Sequence, residues 1–506
     1  MGCYQQGFRR MLLVFLCRQS GRVRLVGTRT QGKCLSLAKS AIMSRTRLLV
    51  CALLFILLAA PVLTAQDARL GHSSRQDRAG WVYVHLEGTP SQIGFQHGYL
   101  LAPEIDDSLK MFTYFVKRSY GKDWAFFRQA AKRLFWPKLE PEYRKEIEGI
   151  AAGLKARGKK YDAIDVTALN GWMEIAWYYI PAFDEAAKKA GKRAGEHCSA
   201  FIATGSYTKD RKIVMAHNAW VDYIVGERWN VIADIVPKRG HRIMMDSYPG
   251  FIHSGDDFVM TDAGILITET TISGFKGFSE KGTPEFMRAR KAAQYAKNID
   301  DFVRIMTDRN NGGYANDWLV GDTKTNEIAR LELGLKHHRV WRTKDGILYG
   351  SNFPLDEKVT KEETNFDPTV LDTSATSRRL RWEEAGESAK GKLDAGTAMR
   401  LVGDHFDQAK LRQGANCRTL CGHLEIDPVA MPDAGWPAYY PGGAAQGKVT
   451  TAALAGKLSF WARMGHPCGQ DFLTKPFFKA HPQYKWQSPF LHDMKGHAWT
   501  LFRAGK

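Results

Sequence analysis

The feature that most constrains this chain is a series of short β-type segments that begins near residue 198. Runs such as CSAFIAT, KIVMAHNAW and GILITETTI are rich in apolar and β-branched residues, and turn residues separate nearly all of them. Helical stretches such as PEFMRARKAAQYAKN interleave with these runs. Strand pairs followed by helices predict layered antiparallel sheets with helices outside, an α+β fold. The aromatic, Pro- and Gly-rich tail from about residue 430 predicts irregular structure.

The sequence before this series has a different texture, and from about residue 82 to 197 it predicts mostly helix. EYRKEIEGIAAGLKARG carries apolar residues at helical spacing and ends in Gly158. The following DEAAKKAGKRAGEH is charged and small, so it predicts an exposed linker that ends at Cys198. We therefore expect residues 66–197 to form a helical N-terminal chain or propeptide, and residues 198–506 to form the core.

The first 65 residues carry a targeting pattern. In residues 43–65, MSRTRLLVCALLFILLAAPVLTA, two arginines precede an apolar run and a small residue closes it, which predicts a secretory signal peptide. Residues 1–42 are a basic extension, and we expect the true start at Met43. Because no Asn-x-Ser/Thr site follows Gln66, the sequence favours a secreted or periplasmic bacterial protein.

The formal charge of +19 at pH 7 needs a separate explanation. The first 65 residues hold ten of the Lys and Arg residues and no Asp or Glu, and removing them leaves +9 on the remainder. No basic helix, zinc-finger spacing or aromatic-basic strand motif is present. Nucleic acid is therefore not an expected partner.

Cys198 begins a predicted hairpin. If CSAFIAT and KIVMAHNA pair around the turn GSYTKDR, Cys198 lies across from Asn218 and beside His217. Side chains opposed in this way are roughly 5 Å apart. The pairing predicts that a thiol, an imidazole and an amide meet at one end of one sheet.

Three interpretations of Cys198 stay open on these residues alone. A nucleophilic thiol needs a proton acceptor, and His217 is one candidate. If the bond between His197 and Cys198 were cut, the new α-amine of Cys198, with a pKa of about 7.7–8.0, would be a second. The third interpretation is a buried structural cysteine, with His217 bonded to a backbone carbonyl.

Several separated motifs resemble the phospholipase B-like proteins, which are N-terminal-nucleophile hydrolases related to the penicillin acyltransferase and C45 peptidase group. The motifs are CSAFIATGSYTKDRKIVMAHNAW, DSYPGFIHSGDDFV, GILITETTISGF and NGGYANDWLVGD, and the resemblance covers nearly all of residues 82–506. It implies a four-layer αββα sandwich with an α-rich N-terminal segment. It also implies an inactive precursor that cleaves itself before the nucleophile.

The resemblance assigns roles to individual residues. Cys198 falls on the nucleophile, the self-cleavage point falls between His197 and Cys198, and Asn316 falls where relatives hold the oxyanion. The other matched positions are His217, which follows the hairpin, and the basic pair Arg378 and Arg381, of which we take Arg378 as supporting. Thr270 and Thr271, at a strand end, are expected to hydrogen-bond around the nucleophile. Asn218 stands where animal relatives prefer a hydroxyl residue, and we take it as supporting because the hairpin places it across from Cys198.

Three further cysteines follow the hairpin: Cys417, Cys421 and Cys468. In an exported protein they favour a disulfide among the three. Together with His423 and His466 they also permit a zinc interpretation, but the spacing matches no standard pattern. No metal and no cofactor is therefore expected.

The leading functional hypothesis is an exported, self-processing hydrolase that opens acyl esters, with fatty-acyl lipids as substrates. One alternative is an N-acyl amidase or acyltransferase of the penicillin acyltransferase type, and another is an inactive relative that binds lipid. The expected partners are an acyl lipid or an N-acyl amide as substrate, and a membrane surface that the protein contacts transiently. The two chains of one precursor are expected to stay together after cleavage.

Overall fold

The computed structural model describes residues 67–184, 198–255 and 258–505. The predicted extension 1–42, the predicted signal peptide 43–65 and His197 lie outside the described residues. Within the described part of the chain, no helix is both long enough and apolar enough to cross a membrane.

The N-terminal segment is helical after two strands. The strands are β1 (Ser74–Arg78) and β2 (Trp81–Gly88), and the helices are α1 (Pro90–Leu100), α2 (Ala102–Tyr120), α3 (Trp124–Leu134), α4 (Pro141–Ala156), α5 (Ala163–Asn170), a π-helical turn (Glu174–Tyr179) and α6 (Ile180–Phe183). The prediction of helix from residue 82 onward is wrong for β2. Its WVYVHLEG sequence is rich in the β-branched and aromatic residues that favour strands.

The β-type runs after residue 198 form strands, as predicted. They are β3 (Ser199–Thr204), β4 (Val214–Asp222), β5 (Val231–Pro237), β6 (Ile243–Ser247), β7 (Val259–Thr261), β8 (Ile265–Thr271), β9 (Asn316–Asp322), β10 (Glu327–Leu333), β11 (His338–Thr343) and β12 (Gly346–Gly350). The helices among them are α7 (Tyr223–Gly226), α8 (Glu285–Tyr295) and α9 (Ile299–Thr307).

The C-terminal part holds more regular structure than predicted. It comprises a π-helical turn (Val359–Glu363), α10 (Ser374–Ser388), α11 (Ala395–Val402), β13 (Phe406–Asp407), β14 (Arg412–Gln413), β15 (Gly442–Thr451), α12 (Ala452–Ala455), β16 (Ser459–Met464), α13 (Thr474–Ala480) and β17 (Thr500–Arg503). The prediction of an irregular tail is wrong for β15, β16 and β17. GGAAQGKVTT lacks a strong strand pattern, and its pairing with both neighbours makes it a strand.

Two large sheets organise the described residues. One has the order β1-β2-β5-β6-β7-β8-β9-β10-β11, and the other β12-β3-β4-β15-β16-β17. The β2–β5 pair is parallel, and the other pairs of these sheets are antiparallel. Because β2 and β5 pair directly, the predicted N-terminal chain and the predicted core share one sheet.

The two sheets stack face to face with helices outside. Ala200, Ile202 and Met215 of the six-stranded sheet pack against Leu266 and Leu319 of the nine-stranded sheet. The outer face of the nine-stranded sheet packs against the N-terminal helices and α8 and α9, while α10 and α11 cover the outer face of the other. These are the four αββα layers that the resemblance implied.

Two side chains of the N-terminal helices hold a turn of the core. The Gly250 N–H donates to His97 Nε2 at 2.9 Å. Asn170 donates from Nδ2 to Gly250 O at 2.9 Å and accepts from Ile252 N–H at 2.8 Å. His97 therefore acts as a neutral acceptor, and burial, with the nearby charge of Arg290, lowers its pKa to about 4.

This shift predicts a loss of stability in mild acid. Below a pH of about 6.5 the unfolded chain takes up a proton that folded His97 excludes, so the free energy of unfolding falls as the pH falls towards about 4. Between pH 7.5 and 5 we expect His97 to account for a loss of about 2 kcal/mol. Urea unfolding at both pH values should show this loss in the wild type and not in His97→Gln.

The control for this prediction is Asn170→Ala, which removes two hydrogen bonds to the same turn but no titratable group. It should keep the wild-type dependence on pH. Equal pH dependence in His97→Gln and the wild type would contradict the assignment.

Candidate functional site

Cys198 lies directly before β3 and is buried, with 2 % of its surface exposed. Its backbone is left-handed, with φ 82°. A non-glycine residue in this region is uncommon and is often found at functional positions. The residue that follows the predicted cleavage point, Cys198, therefore has a strained backbone conformation. His197, on the other side of that point, lies outside the described residues.

The hairpin forms, but its register differs from the prediction by one residue. Ser199, not Cys198, is paired with Asn218, and Ala200 is paired with His217. The connection is wider than a tight turn, because it contains a 3₁₀ turn at Gly205–Tyr207 and a left-handed Arg211. The strand ladder therefore begins at Ser199 and leaves Cys198 at its end.

His217 and Asn218 face opposite layers, because successive residues of a strand alternate. Met215, two residues before His217, packs between the sheets, whereas Ala216 packs towards α10 and α11. Asn218 donates from Nδ2 to Val402 O at 2.6 Å and to Leu420 O at 2.9 Å. The expectation that the thiol, the imidazole and the Asn218 amide meet is therefore wrong for Asn218, which supports the neighbouring loop instead.

A carboxylate oxygen lies close to both the thiol and the imidazole. The Cys198 thiol, a His217 ring nitrogen and a Glu269 carboxylate oxygen all lie within 4.8 Å of one another, and all three residues are buried. Glu269 was not singled out in the sequence, because it lies on β8, far from the hairpin in the chain. All seven residues of β8 are buried, so a charged residue within this apolar run was the available signal.

Burial and charge act together on His217. Burial, with the nearby Lys448 ammonium, lowers the pKa of His217 well below its usual value, and a hydrogen bond to the backbone of Glu269 opposes this only in part. Lys448 is paired with His217 across β15 and donates to Asp246 Oδ2 at 2.8 Å. The imidazole is therefore neutral at neutral pH and is a weak base.

Arg378 is the inward-facing member of the basic pair. Its Nη1 donates to Cys198 O at 2.5 Å, its Nη2 to Asn352 Oδ1 at 2.9 Å, and its Nε to Ser374 Oγ at 3.0 Å. Arg381 instead forms a mostly buried ion pair with Asp404 at 2.7 Å, away from Cys198. Arg378 thus fixes the backbone of Cys198 from the helical layer.

Asn316 and Thr270 lie on neighbouring strands at the same end of the sheets. Asn316 begins β9, is buried, and is paired with Thr271 of β8. Asn352 Nδ2 donates to Thr271 O at 2.8 Å, which connects this pair to Arg378. A Cβ at Gly350, the residue paired with Ala200, would lie 2.2 Å from Thr270 Oγ1. Asn352 was missed in the sequence because only the fold brings it to Cys198.

The expected disulfide among the later cysteines is absent. Cys198, Cys417, Cys421 and Cys468 are all free in the described part of the chain. Cys417 lies apart from the other two, with its thiol 3.4 Å from Ala430 O. Cys421 and Cys468 instead share a cluster with histidines.

The fold and the site define the class of protein, an αββα protein with a buried cysteine directly before strand β3. The phospholipase B family model matches residues 107–345. Among curated proteins, an uncharacterised protein of Archaeoglobus fulgidus is 29% identical over 54% of this chain and 48% of its own length. Phospholipase B-like 1 of Bos taurus is 26% identical over 74% of this chain and 75% of its own length. Over these residues the chain is similar to the phospholipase B-like proteins.

Solved structures also align with the chain. The penicillin V acylase of Agrobacterium tumefaciens is 11% identical over 53% of this chain and 83% of its own, with a TM-score of 0.31.

The present chain spans about half the length of the archaeal relative, 48%.

The three bonds of Arg378 lead to a stability prediction. A lysine is a single point donor on a flexible stem and cannot reach all three acceptors, so Arg378→Lys loses at least one charged hydrogen bond. We expect the free energy of unfolding to fall by about 1.5–3 kcal/mol in denaturant titrations. Arg379→Lys is the matched control on the same helix, because its ion pair with Glu383 is more than a third exposed and predicts a change under about 1 kcal/mol. Equal effects of the two substitutions would contradict the assignment.

Proposed function

We propose that this protein is an exported hydrolase that cleaves itself before Cys198 and then uses Cys198 to open acyl ester bonds of lipids. The name of its bovine relative, phospholipase B-like 1, supports the substrate class, and the sequence pattern of residues 43–65 supports export.

The observation that carries the proposal is the environment of Cys198. The thiol is buried within 4.8 Å of an imidazole and a carboxylate. The backbone of Cys198 is in the left-handed region, and Arg378 donates a hydrogen bond to its carbonyl oxygen. A structural cysteine in an apolar core needs none of these contacts. Together they supply a nucleophile, polar neighbours and a fixed backbone.

In the proposed self-cleavage, Cys198 Sγ attacks the carbonyl carbon of His197. The S–C bond forms, the C–N bond between His197 and Cys198 breaks, and the departing nitrogen takes the thiol proton. Water then hydrolyses the thioester, giving a carboxylate at residue 197 and returning a proton to the sulfur. The product is a free thiol and a free α-amine on the same residue.

Substrate turnover follows the same chemistry. The thiol attacks the acyl carbonyl, its proton passes to the α-amine and then to the departing alcohol, and water releases the fatty acid from the thioester. The α-amine is the better base, because the pKa of His217 is held well below its usual value. We assign Asn316 to the oxyanion, Thr270 to the surroundings of the nucleophile, and His217 to orienting the site.

An aromatic wall beside the site favours an apolar acyl group. The Tyr314 hydroxyl accepts a hydrogen bond from Thr271 Oγ1 at 3.0 Å and donates one to Glu269 Oε1 at 3.3 Å. Its ring packs against Trp177 and Tyr178 of the N-terminal segment, with centroids 5.8 and 6.3 Å away. The acyl chain of a lipid is proposed to lie along these rings.

Self-cleavage predicts a new N-terminus. The purified wild type should give two chains on a denaturing gel, and N-terminal sequencing of the larger should begin at Cys198. Cys198→Ala should stay a single chain, because no other atom at that position can attack the carbonyl. Cys417→Ser, which changes a buried thiol outside the site, should be cut like the wild type. A cut at another bond, or a cut in Cys198→Ala, would refute the mechanism.

Turnover predicts a defined loss in Asn316→Ala. Removing a preorganised oxyanion donor should lower kcat by about 100-fold to 1,000-fold, with a smaller change in KM. Fatty acid release from phosphatidylcholine micelles and from an N-acyl amide should be measured in parallel on folded, fully cleaved protein. Faster release from the ester supports the proposal. Faster release from the amide would favour the amidase alternative, and release from neither would favour a lipid-binding relative.

A further inference from the structure

A second cluster of polar side chains lies on the outer side of the six-stranded sheet. His405 follows α11, Cys421 and His423 lie in the loop that leads to β15, and Cys468 follows β16. One ligand atom from each of these four residues lies within 4.8 Å of all the others. Two thiols and two imidazoles from three separate segments therefore converge on one point.

We propose that His405, Cys421, His423 and Cys468 bind a zinc ion. Two cysteines and two histidines are the donor set of a four-coordinate structural zinc site. Bonds of about 2.3 Å to sulfur and 2.05 Å to nitrogen at a tetrahedral angle place sulfur and nitrogen about 3.5–3.6 Å apart. His423 Nε2 lies 3.6 Å from Cys421 Sγ and 3.5 Å from Cys468 Sγ.

The other nitrogen of His423 has the partner that a metal-bound histidine requires. His423 Nδ1 lies 2.8 Å from Glu425 Oε1, and the Tyr223 hydroxyl donates to Glu425 Oε2 at 2.6 Å. A carboxylate on the second nitrogen orients the ring and increases its basicity, as around many zinc ions. Glu425 is itself buried, so this support is built into the fold.

The thiols also have features of metal ligands. The Gln470 N–H lies 3.5 Å from Cys468 Sγ. Cys468 and His405 are only partly buried, which leaves a path for the ion from solvent.

A disulfide between Cys421 and Cys468 is the competing outcome in an exported protein. It would use the two sulfurs but would give no reason for two imidazoles at the same point or for the carboxylate behind His423. The complete donor set therefore favours a metal ion over a disulfide.

The proposed ion would stabilise the loop behind the catalytic cysteine. Leu420, next to Cys421, accepts hydrogen bonds from Asn218 and from Trp220 Nε1, the latter at 3.3 Å. The Trp220 ring lies under the Arg378 guanidinium at 4.4 Å, and Arg378 holds the Cys198 carbonyl. The ion is therefore structural, and its binding does not depend on the proposed hydrolase activity.

The test measures zinc in the full-length protein, purified without a histidine tag and with a phosphine reductant. Elemental mass spectrometry should find about one zinc ion per chain in the wild type. Cys421→Ser and Cys468→Ser should lower the zinc content at least tenfold, and a zinc chelator should lower the Tm of the wild type. Cys417→Ser is the matched control and should keep its zinc, because Cys417 lies outside the cluster.

A second measurement avoids any dependence on how the variants fold. Cobalt added to the metal-free wild type should give the thiolate charge-transfer band and the visible bands of a tetrahedral site. The proposal is overturned if the wild type takes up neither zinc nor cobalt, or if Cys417→Ser loses as much zinc as Cys421→Ser. It is also overturned if peptide mapping of protein purified without reductant finds Cys421 joined to Cys468.

Discussion

Strand β4 lies between β3 and β15, and its alternate side chains face two different layers. His217 faces the other sheet, and one of its ring nitrogens lies within 4.8 Å of the Cys198 thiol and of a Glu269 carboxylate oxygen. Asn218 and Trp220 lie on the other face, where they bond to the carbonyl of Leu420. The pleat of one strand therefore separates the chemistry from its support. A shift of one residue in the pairing of β4 would exchange the two faces and destroy both.

Much of the layered fold could be predicted from the sequence, because β3 to β12 carry apolar and β-branched runs between turn residues. The strand β15 could not be predicted in this way. Its Gly- and Ala-rich sequence has little intrinsic preference for a strand, and its partners β4 and β16 impose the extended conformation. The C-terminal tail thus completes the sheet that carries Cys198.

Only those residues of the candidate site that lie close together in the sequence could be predicted to lie close together in the fold. Cys198 and His217 belong to one hairpin, so their proximity follows from pairing, although the wide connection moved the register by one residue. Glu269 and Asn352 reach the cysteine from other strands and loops. The sequence also offered no reason to choose Arg378 over Arg381, because only the packing of α10 shows which one faces inward.

The position of β2 would keep the two chains together after a cleavage before Cys198. The parallel β2–β5 pair joins the N-terminal segment to the core by a ladder of backbone hydrogen bonds. A buried ion pair between Glu146 of α4 and Arg290 of α8, at 3.0 Å, adds a second connection. Breaking either contact would expose unpaired polar groups. Two chains arranged in this way would behave as one folding unit.

Gly422 lies against the indole of Trp220, and a Cβ at that position would be 2.0 Å from the ring. The indole of Trp220 fits here because Gly422 has no side chain. Among homologous chains, positions 220 and 422 are therefore expected to covary in size. A smaller residue at 220 would admit a side chain at 422, and a sequence comparison could detect this packing contact without a structure.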